Sequence, residues 1–101
     1  MTFPIYRIYN NYVKIEFDPA KREWTLRERG LDLAAAGKIF SDLSLTHEDE
    51  RGDYGETRFV TLGVLNGETV VCVWTQRGEA RRIISLRKAR KDERETYNLG
   101  R

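Results

Sequence analysis

Asn66-Gly67 falls between two runs of alternating apolar residues, Arg58 to Leu65 and Thr69 to Gln76. This dipeptide tolerates positive φ at both positions, so it predicts a type I′ turn and an antiparallel hairpin. Arg77-Gly78-Glu79 then turns the chain again, into Arg81 to Arg87, where Ile83 and Ile84 are β-branched residues suited to a pleated, buried setting. Three strands joined by two tight turns form a meander. Its apolar face has to be covered by the rest of the chain, which points to an α+β domain.

The remaining segments supply that cover. Residues 1–11 are aromatic and unpatterned, an N-terminal arm or an edge strand. From Tyr12, Val13, Ile15 and Phe17 alternate with Lys14 and Glu16, predicting a half-buried strand. Asp18-Pro19 is an N-cap followed by proline at the first helical position, and Gly30 suits the residue after the last turn, so a helix is predicted up to Arg29. Ala20, Trp24 and Arg27 or Glu28 share a helical spacing that makes Trp24 the core anchor; a stacking platform for nucleic-acid bases is the other reading of that indole. A second helix is predicted from Asp32, with Leu31 as its staple and with Leu33, Ala36, Gly37 and Phe40 on one face. Residues 41–56 are polar, with a short strand at Leu43 to Thr46 and a charged loop from His47 to Glu56. Lys91 to Tyr97 reads as a short helix with Glu93 and Tyr97 on one face. The expected order is β-α-α-β-β-β-β-α in a single domain, 1–101, with helices against an antiparallel sheet.

Several classes of function find no support. No apolar run approaches the roughly 20 residues of a membrane span, and the N-terminus lacks a basic-then-apolar leader, so a cytoplasmic protein is expected. Cys72, the single cysteine, sits within the apolar run Val70 to Trp74 and reads as a small core residue. One His and one Cys do not make a zinc site, and the acids Glu48, Asp49, Glu50 and Asp53 read as a solvated loop. No glycine-rich phosphate loop is present, and neither Cys72 nor Ser85 has a neighbouring base, so the sequence calls for no cofactor and no metal.

What the chain has in excess is positive charge in one half. Residues 1–50 hold 7 Lys and Arg against 9 Asp and Glu, whereas residues 51–101 hold 11 against 7. Much of that excess surrounds one strand: Arg77, Arg81, Arg82, Arg87, Lys88, Arg90 and Lys91, with Glu79 the only acid between Arg77 and Lys91. A fixed strand with cations at its ends suits a polyanion such as a phosphodiester backbone; the plainer reading is solvated charge that keeps an edge from aggregating. Such a set can cleave RNA without metal. Arg82 and Arg87 would stabilise the phosphorane charge, Glu93 or His47 would act as base, and Tyr97 or Lys88 as acid. The alternatives for Glu93 and Tyr97 are a helix-surface ion pair and a packing residue.

Six blocks in order are similar to one known family: Phe17 to Lys21 (FDPAK), Glu28 to Asp32 (ERGLD), Asp53 to Arg58 (DYGETR), Thr75 to Gly78 (TQRG), Arg82 to Ala89 (RIISLRKA), and Glu93 with Tyr97. The chain resembles the BrnT toxins of bacterial type II toxin–antitoxin systems. The resemblance implies a RelE-like fold and an endoribonuclease that halts translation. It also implies a BrnA-like antitoxin of ribbon-helix-helix type, with operator DNA bound only through the toxin–antitoxin complex. Carried onto this chain, it implies catalytic roles for Arg82, Arg87, Glu93 and Tyr97, and RNA contacts from Lys21, Arg58, Arg77 and Lys88; the charge argument adds Arg81. The chain departs from the family pattern where Arg29 replaces a frequent His, Thr25 a frequent Asn, and Arg90 a capping Thr or Asn. A metal-independent endoribonuclease acting on mRNA is the leading expectation. The alternative is a non-catalytic basic module that docks an antitoxin or nucleic acid.

Overall fold

A computed structural model describes residues 6–10, by their backbone, and 13–100. Six strands form one sheet: β1 (Tyr6–Asn10), β2 (Val13–Phe17), β3 (Leu45–Asp49), β4 (Arg58–Leu65), β5 (Glu68–Arg77) and β6 (Ala80–Lys88), in the order β1-β2-β6-β5-β4-β3. The helices are α1 (Pro19–Arg29), α2 (Gly37–Phe40) and α3 (Lys91–Gly100), with one 3-10 turn at Leu33–Ala35. Residues 1–5, 11 and 12, which include part of the expected arm and the start of the first alternating run, lie outside the described residues.

The turns follow their chemistry. Asn66 and Gly67 have φ of 51° and 81°, the double positive pair of a type I′ turn, and Gly78 has φ 58° at the second reversal. Asp18 caps α1 by accepting from the Ala20 N–H at 2.9 Å, and Gly30, at φ 68°, ends the helix with its N–H on the Leu26 carbonyl.

Four expectations are corrected. The sheet is mixed, because β2 runs parallel to β6, pairing Ile15 with Arg81 and Glu16 with Arg82, while the other strand pairs are antiparallel. The predicted second helix is two separate single turns; its buried residues are Leu33, Ala36, Gly37 and Ile39, so Ile39 takes the place expected for Phe40. His47, Glu48 and Asp49 belong to edge strand β3 rather than to a loop. Trp24 is no core anchor: it is 42 % exposed, and Thr25, one residue on, is the buried position of α1. The line facing the sheet is therefore Lys21, Thr25 and Arg29, spaced four apart, about 100° around the helix from the line that contains Trp24. Among the described residues the buried Thr25 hydroxyl has no hydrogen-bond partner.

The two faces of the sheet are covered differently. On one face Ile15, Phe17, Cys72, Trp74, Ile83 and Leu86 pack against Leu33, Ala36 and Ile39 to form the main core. Gly63 belongs to this layer, and a β-carbon there would meet Ile39 Cγ2 at 2.5 Å. Gly63→Ala is thus expected to cost about 1–3 kcal/mol through overpacking, read as a lowered denaturant midpoint with an unchanged slope. On the other face α3 seats Tyr97 and the neighbouring Ala89 on Leu62 and Val71, while α1 crosses the β6 side. The floor between these two helices stays open.

Candidate RNA-binding cleft

A backbone irregularity assembles this open face. In a regular strand, residues five apart point to opposite sides. Arg82 and Arg87 escape this because the register between β5 and β6 shifts at Val73/Trp74: Ser85 pairs with Val73, Ile83 with Trp74, and Ile84 is the extra residue of a bulge. Arg82 opposite Thr75, Ser85 opposite Val73 and Arg87 opposite Val71 consequently lie on the same face. A cleft of about 490 Å³ opens there, floored by Val60, Val71, Val73 and Ser85 and rimmed by His47, Asp49, Arg51, Arg87 and Glu93.

Arg87 is locked from the side. Its two terminal nitrogens each donate to one Glu93 oxygen, both at 2.8 Å, and Glu93 also accepts from the Arg90 N–H at 2.8 Å. Glu93 thus caps α3 from its third position, supplying half of a capping box where the residue before the helix is an arginine. The Arg87 guanidinium, burial notwithstanding, holds the Glu93 carboxyl down to about 2, helped by the Arg90 N–H. Such a carboxylate is ionised across the working range and is a poor proton acceptor. Across the cleft, Arg51 makes a matching fork to Asp49 at 2.8 and 2.9 Å, and its hydrogen bonds hold Asp49 well below the usual carboxylate range.

Both carboxyls are depressed in the folded chain, so their contribution to stability is complete above the unfolded value of about 4 and is lost as pH falls from there toward 2. Melting temperature is expected to drop across that window. Glu93→Gln should lower the plateau near neutrality and flatten the drop; an unchanged profile would contradict the fork.

The other expected site residues disperse. Lys21 sits on the inner line of α1, its pKa lowered by burial and by the nearby Arg29 and Arg58. Arg58 lies 4.1 Å over the Tyr54 ring and is paired with Glu56, which also holds Arg77 at 3.0 Å. The Asp53 to Arg58 block is thereby explained as a folded clasp: Gly55 has φ 69°, the Asp53 carboxylate accepts its N–H, and the Tyr54 hydroxyl donates to Asp49. Lys88 pairs with Glu68 at the strand end. Arg81 points to the opposite face, its guanidinium 4.4 Å from both the Phe40 and Trp74 ring centres. Tyr97 is buried, and its hydroxyl donates to the Leu43 carbonyl at 2.8 Å. Arg82 has no carboxylate within ion-pair distance among the described residues.

Sequence reasoning placed His47 in a loop and did not single out Asp49 or Arg51 for the cleft. The signal available was the alternation of Leu45, His47 and Asp49, which line up opposite Leu62, Val60 and Arg58. Arg29 donates to the Leu86 carbonyl at 2.9 Å and lies 4.9 Å over Trp24. Cys72 is wholly buried, its thiol pushed up to about 12 by burial, which suits the packing role assigned to it. Among the described residues no group of three His, Cys, Asp or Glu is placed to hold a metal ion, and no helix is long and apolar enough to cross a membrane.

No match was found among curated proteins. A family model described as the ribonuclease toxin BrnT of type II toxin–antitoxin systems matches residues 17–93, from the last residue of β2 to the carboxylate that clamps Arg87. The α+β chain with this arginine-lined cleft belongs to the BrnT family of ribonuclease toxins.

Proposed function

We propose that the chain cleaves mRNA in the cytoplasm by a metal-independent transphosphorylation in the cleft between β3 and the start of α3. The observation that carries this reading is the bulge at Ile84, which puts Arg82 and Arg87 on one open face together with Ser85. Arg87 is held rigid by Glu93, and Arg82 has no carboxylate within ion-pair distance among the described residues, which favours a phosphate there. Arg87 lines the cleft and Arg82 lies farther along the same face; a fixed guanidinium beside a phosphodiester stabilises the charge that builds up on its non-bridging oxygens.

The step itself needs two proton transfers. The ribose 2′-oxygen attacks the adjacent phosphorus and gives its proton to a base. The new O2′–P bond forms as the P–O5′ bond breaks, and an acid protonates the departing 5′-oxygen, leaving a 2′,3′-cyclic phosphate and a 5′-hydroxyl. His47 is exposed at the cleft rim and is the chain's only imidazole, the side-chain type suited to moving protons near neutrality. It is the better base, because Glu93 is committed to Arg87. Glu93 then acts as a positioning residue. Tyr97 anchors α3 through the Leu43 carbonyl, and Lys88, opposite Val70 and paired with Glu68, would serve as acid only by leaving that pair and swinging round the strand end.

The fold reading is RelE-like: a sheet with one face covered by the main core and the other left partly open to receive RNA. Lys21, Arg58 and Arg77 extend the positive surface around the cleft, while Arg81 braces the core on the other side. A ribbon-helix-helix antitoxin would neutralise the toxin by covering the same cations, and operator DNA would be bound through that complex.

Purified chain incubated with RNA in excess EDTA is expected to release fragments with cyclic phosphate ends, and His47→Ala should slow the chemical step by about 10²–10⁴-fold. Cleavage that vanishes with EDTA, or that survives His47→Ala at full rate, would overturn these assignments. Failure to cleave RNA in any form, with no growth arrest in cells, would leave a basic binding module.

A further inference from the structure

A second pocket, of about 470 Å³, adjoins the cleft and has no part in the chemistry above. It is lined by Ala20, Lys21, Trp24 and Arg29 of α1 and by Ser85 of β6. Ser85 also lines the cleft, so the two spaces share a wall. We infer that this pocket is a nucleobase subsite, in which Trp24 stacks an unpaired base beside the scissile phosphate while Lys21 and Arg29 bind the backbone that carries it. The inference rests on the ribonuclease reading for its substrate and goes beyond it in naming where the neighbouring base lies.

Three observations meet here. Trp24 keeps 42 % of its surface exposed, whereas Trp74, the other indole, is buried with its N–H on the Thr61 hydroxyl. The exposed ring is not loose, since Arg29 lies over it at 4.9 Å and is itself tied to the Leu86 carbonyl. An indole held in place beside a cation is a ready platform for a base, which presents a π-face whatever its identity.

The second observation is charge. Lys21, one helical turn before Trp24, is crowded by Arg29 and Arg58, and among the described residues neither Lys21 nor Arg29 has a carboxylate within ion-pair distance. Asp18 offsets this crowding only in part, being the smallest of the influences on Lys21, and like charges gathered at a pocket favour an anion. This combination favours RNA over an apolar or basic protein segment. The third is continuity: a strand whose phosphate meets Arg87 and Arg82 on β6 passes Ser85 and reaches the α1 pocket directly. Because the stacking contact reads a face rather than an edge, the subsite supplies affinity and register with little base preference.

The test uses the whole chain and a short 2′-O-methyl oligoribonucleotide, which lacks the attacking hydroxyl and so separates binding from cleavage. An abasic oligomer of equal length and charge is the comparison. Base-bearing oligomer should quench indole fluorescence and abasic oligomer should not, and the quench should disappear in Trp24→Phe. Trp24→Ala should weaken binding of the base-bearing oligomer by about tenfold and raise KM for cleavable RNA in step, with Trp24→Phe restoring part of it. Leu26→Ala, which removes another exposed apolar side chain of α1, should change neither. Equal affinity of wild type for both oligomers, or unaltered binding by Trp24→Ala, overturns the subsite. So does a Trp24→Ala variant that loses antitoxin binding but not oligomer binding, which makes the patch a protein contact. Quenching by a wild type that cleaves no RNA supports the subsite and removes the catalytic reading; cleavage with KM indifferent to Trp24 does the reverse.

Discussion

Arg87→Ala is expected to reduce RNA cleavage by about 10²–10³-fold and to abolish growth arrest, because it removes a fixed positive charge from the place where negative charge develops. Arg87→Lys should rescue little. An ammonium cannot make the two parallel bonds by which Glu93 fixes the guanidinium, so the charge would survive while its position would not. Glu93→Gln separates two roles for that carboxylate. If Glu93 only positions Arg87, the variant loses activity but keeps the acid limb of its pH–rate profile. If Glu93 is the base, that limb disappears. Cleavage by Arg87→Ala at the wild-type rate, with an intact fold, would remove this strand from the chemistry altogether.

The second large effect is on stability, at Tyr97. Its ring is buried against Leu62 and Val71, and its hydroxyl secures the Leu43 carbonyl. Tyr97→Ala should cost about 3–5 kcal/mol by analogy with other buried aromatic truncations, which lowers the melting temperature of a domain this size by roughly 15 °C or more. Tyr97→Phe keeps the ring and loses one hydrogen bond, a cost of about 0.5–1.5 kcal/mol, somewhat more if the carbonyl is left unpaired. Its cleavage rate should stay close to wild type. A Tyr97→Phe variant that melts normally yet cleaves no RNA would return the phenol to the role of general acid.

These two residues show how far the sequence reaches. Asn66-Gly67, Asp18-Pro19 and Gly30 act through their own backbone preferences, so the hairpin and the ends of α1 are legible without knowledge of anything distant. The break in the segment from Leu33 to Phe40 is not, because Leu33, Ala36 and Ile39 reach the same core from two separate turns, and that depends on the sheet beneath them. Trp24 misleads for a related reason: it has the area of a core residue, but the rotation of α1 is decided by where Lys21, Thr25 and Arg29 can be accommodated. In the site, residue types were legible and facing was not. Arg82 and Arg87 were identifiable as cations on one strand, yet alternation alone sets them on opposite faces, and only the bulge at Ile84 reconciles them. Arg81, adjacent to Arg82, goes to the far side for the same geometric reason. His47 hid in a polar stretch because an edge strand exposed to solvent carries little apolar pattern.

The parallel pairing of β2 with β6 has a consequence for how the chain comes into being. Ile15 and Glu16 are made early, and their partners Arg81 and Arg82 come late, so the central seam of the sheet joins segments far apart along the polypeptide. Such long closures slow folding and leave the early strand waiting. A growing chain on the ribosome therefore has β2 and α1 in hand well before it has Arg82 and Arg87, and neither can be set against β6 until synthesis is nearly over. A chain that stops before Ala80 lacks β6 and with it the partner that β2 needs at the centre of the sheet.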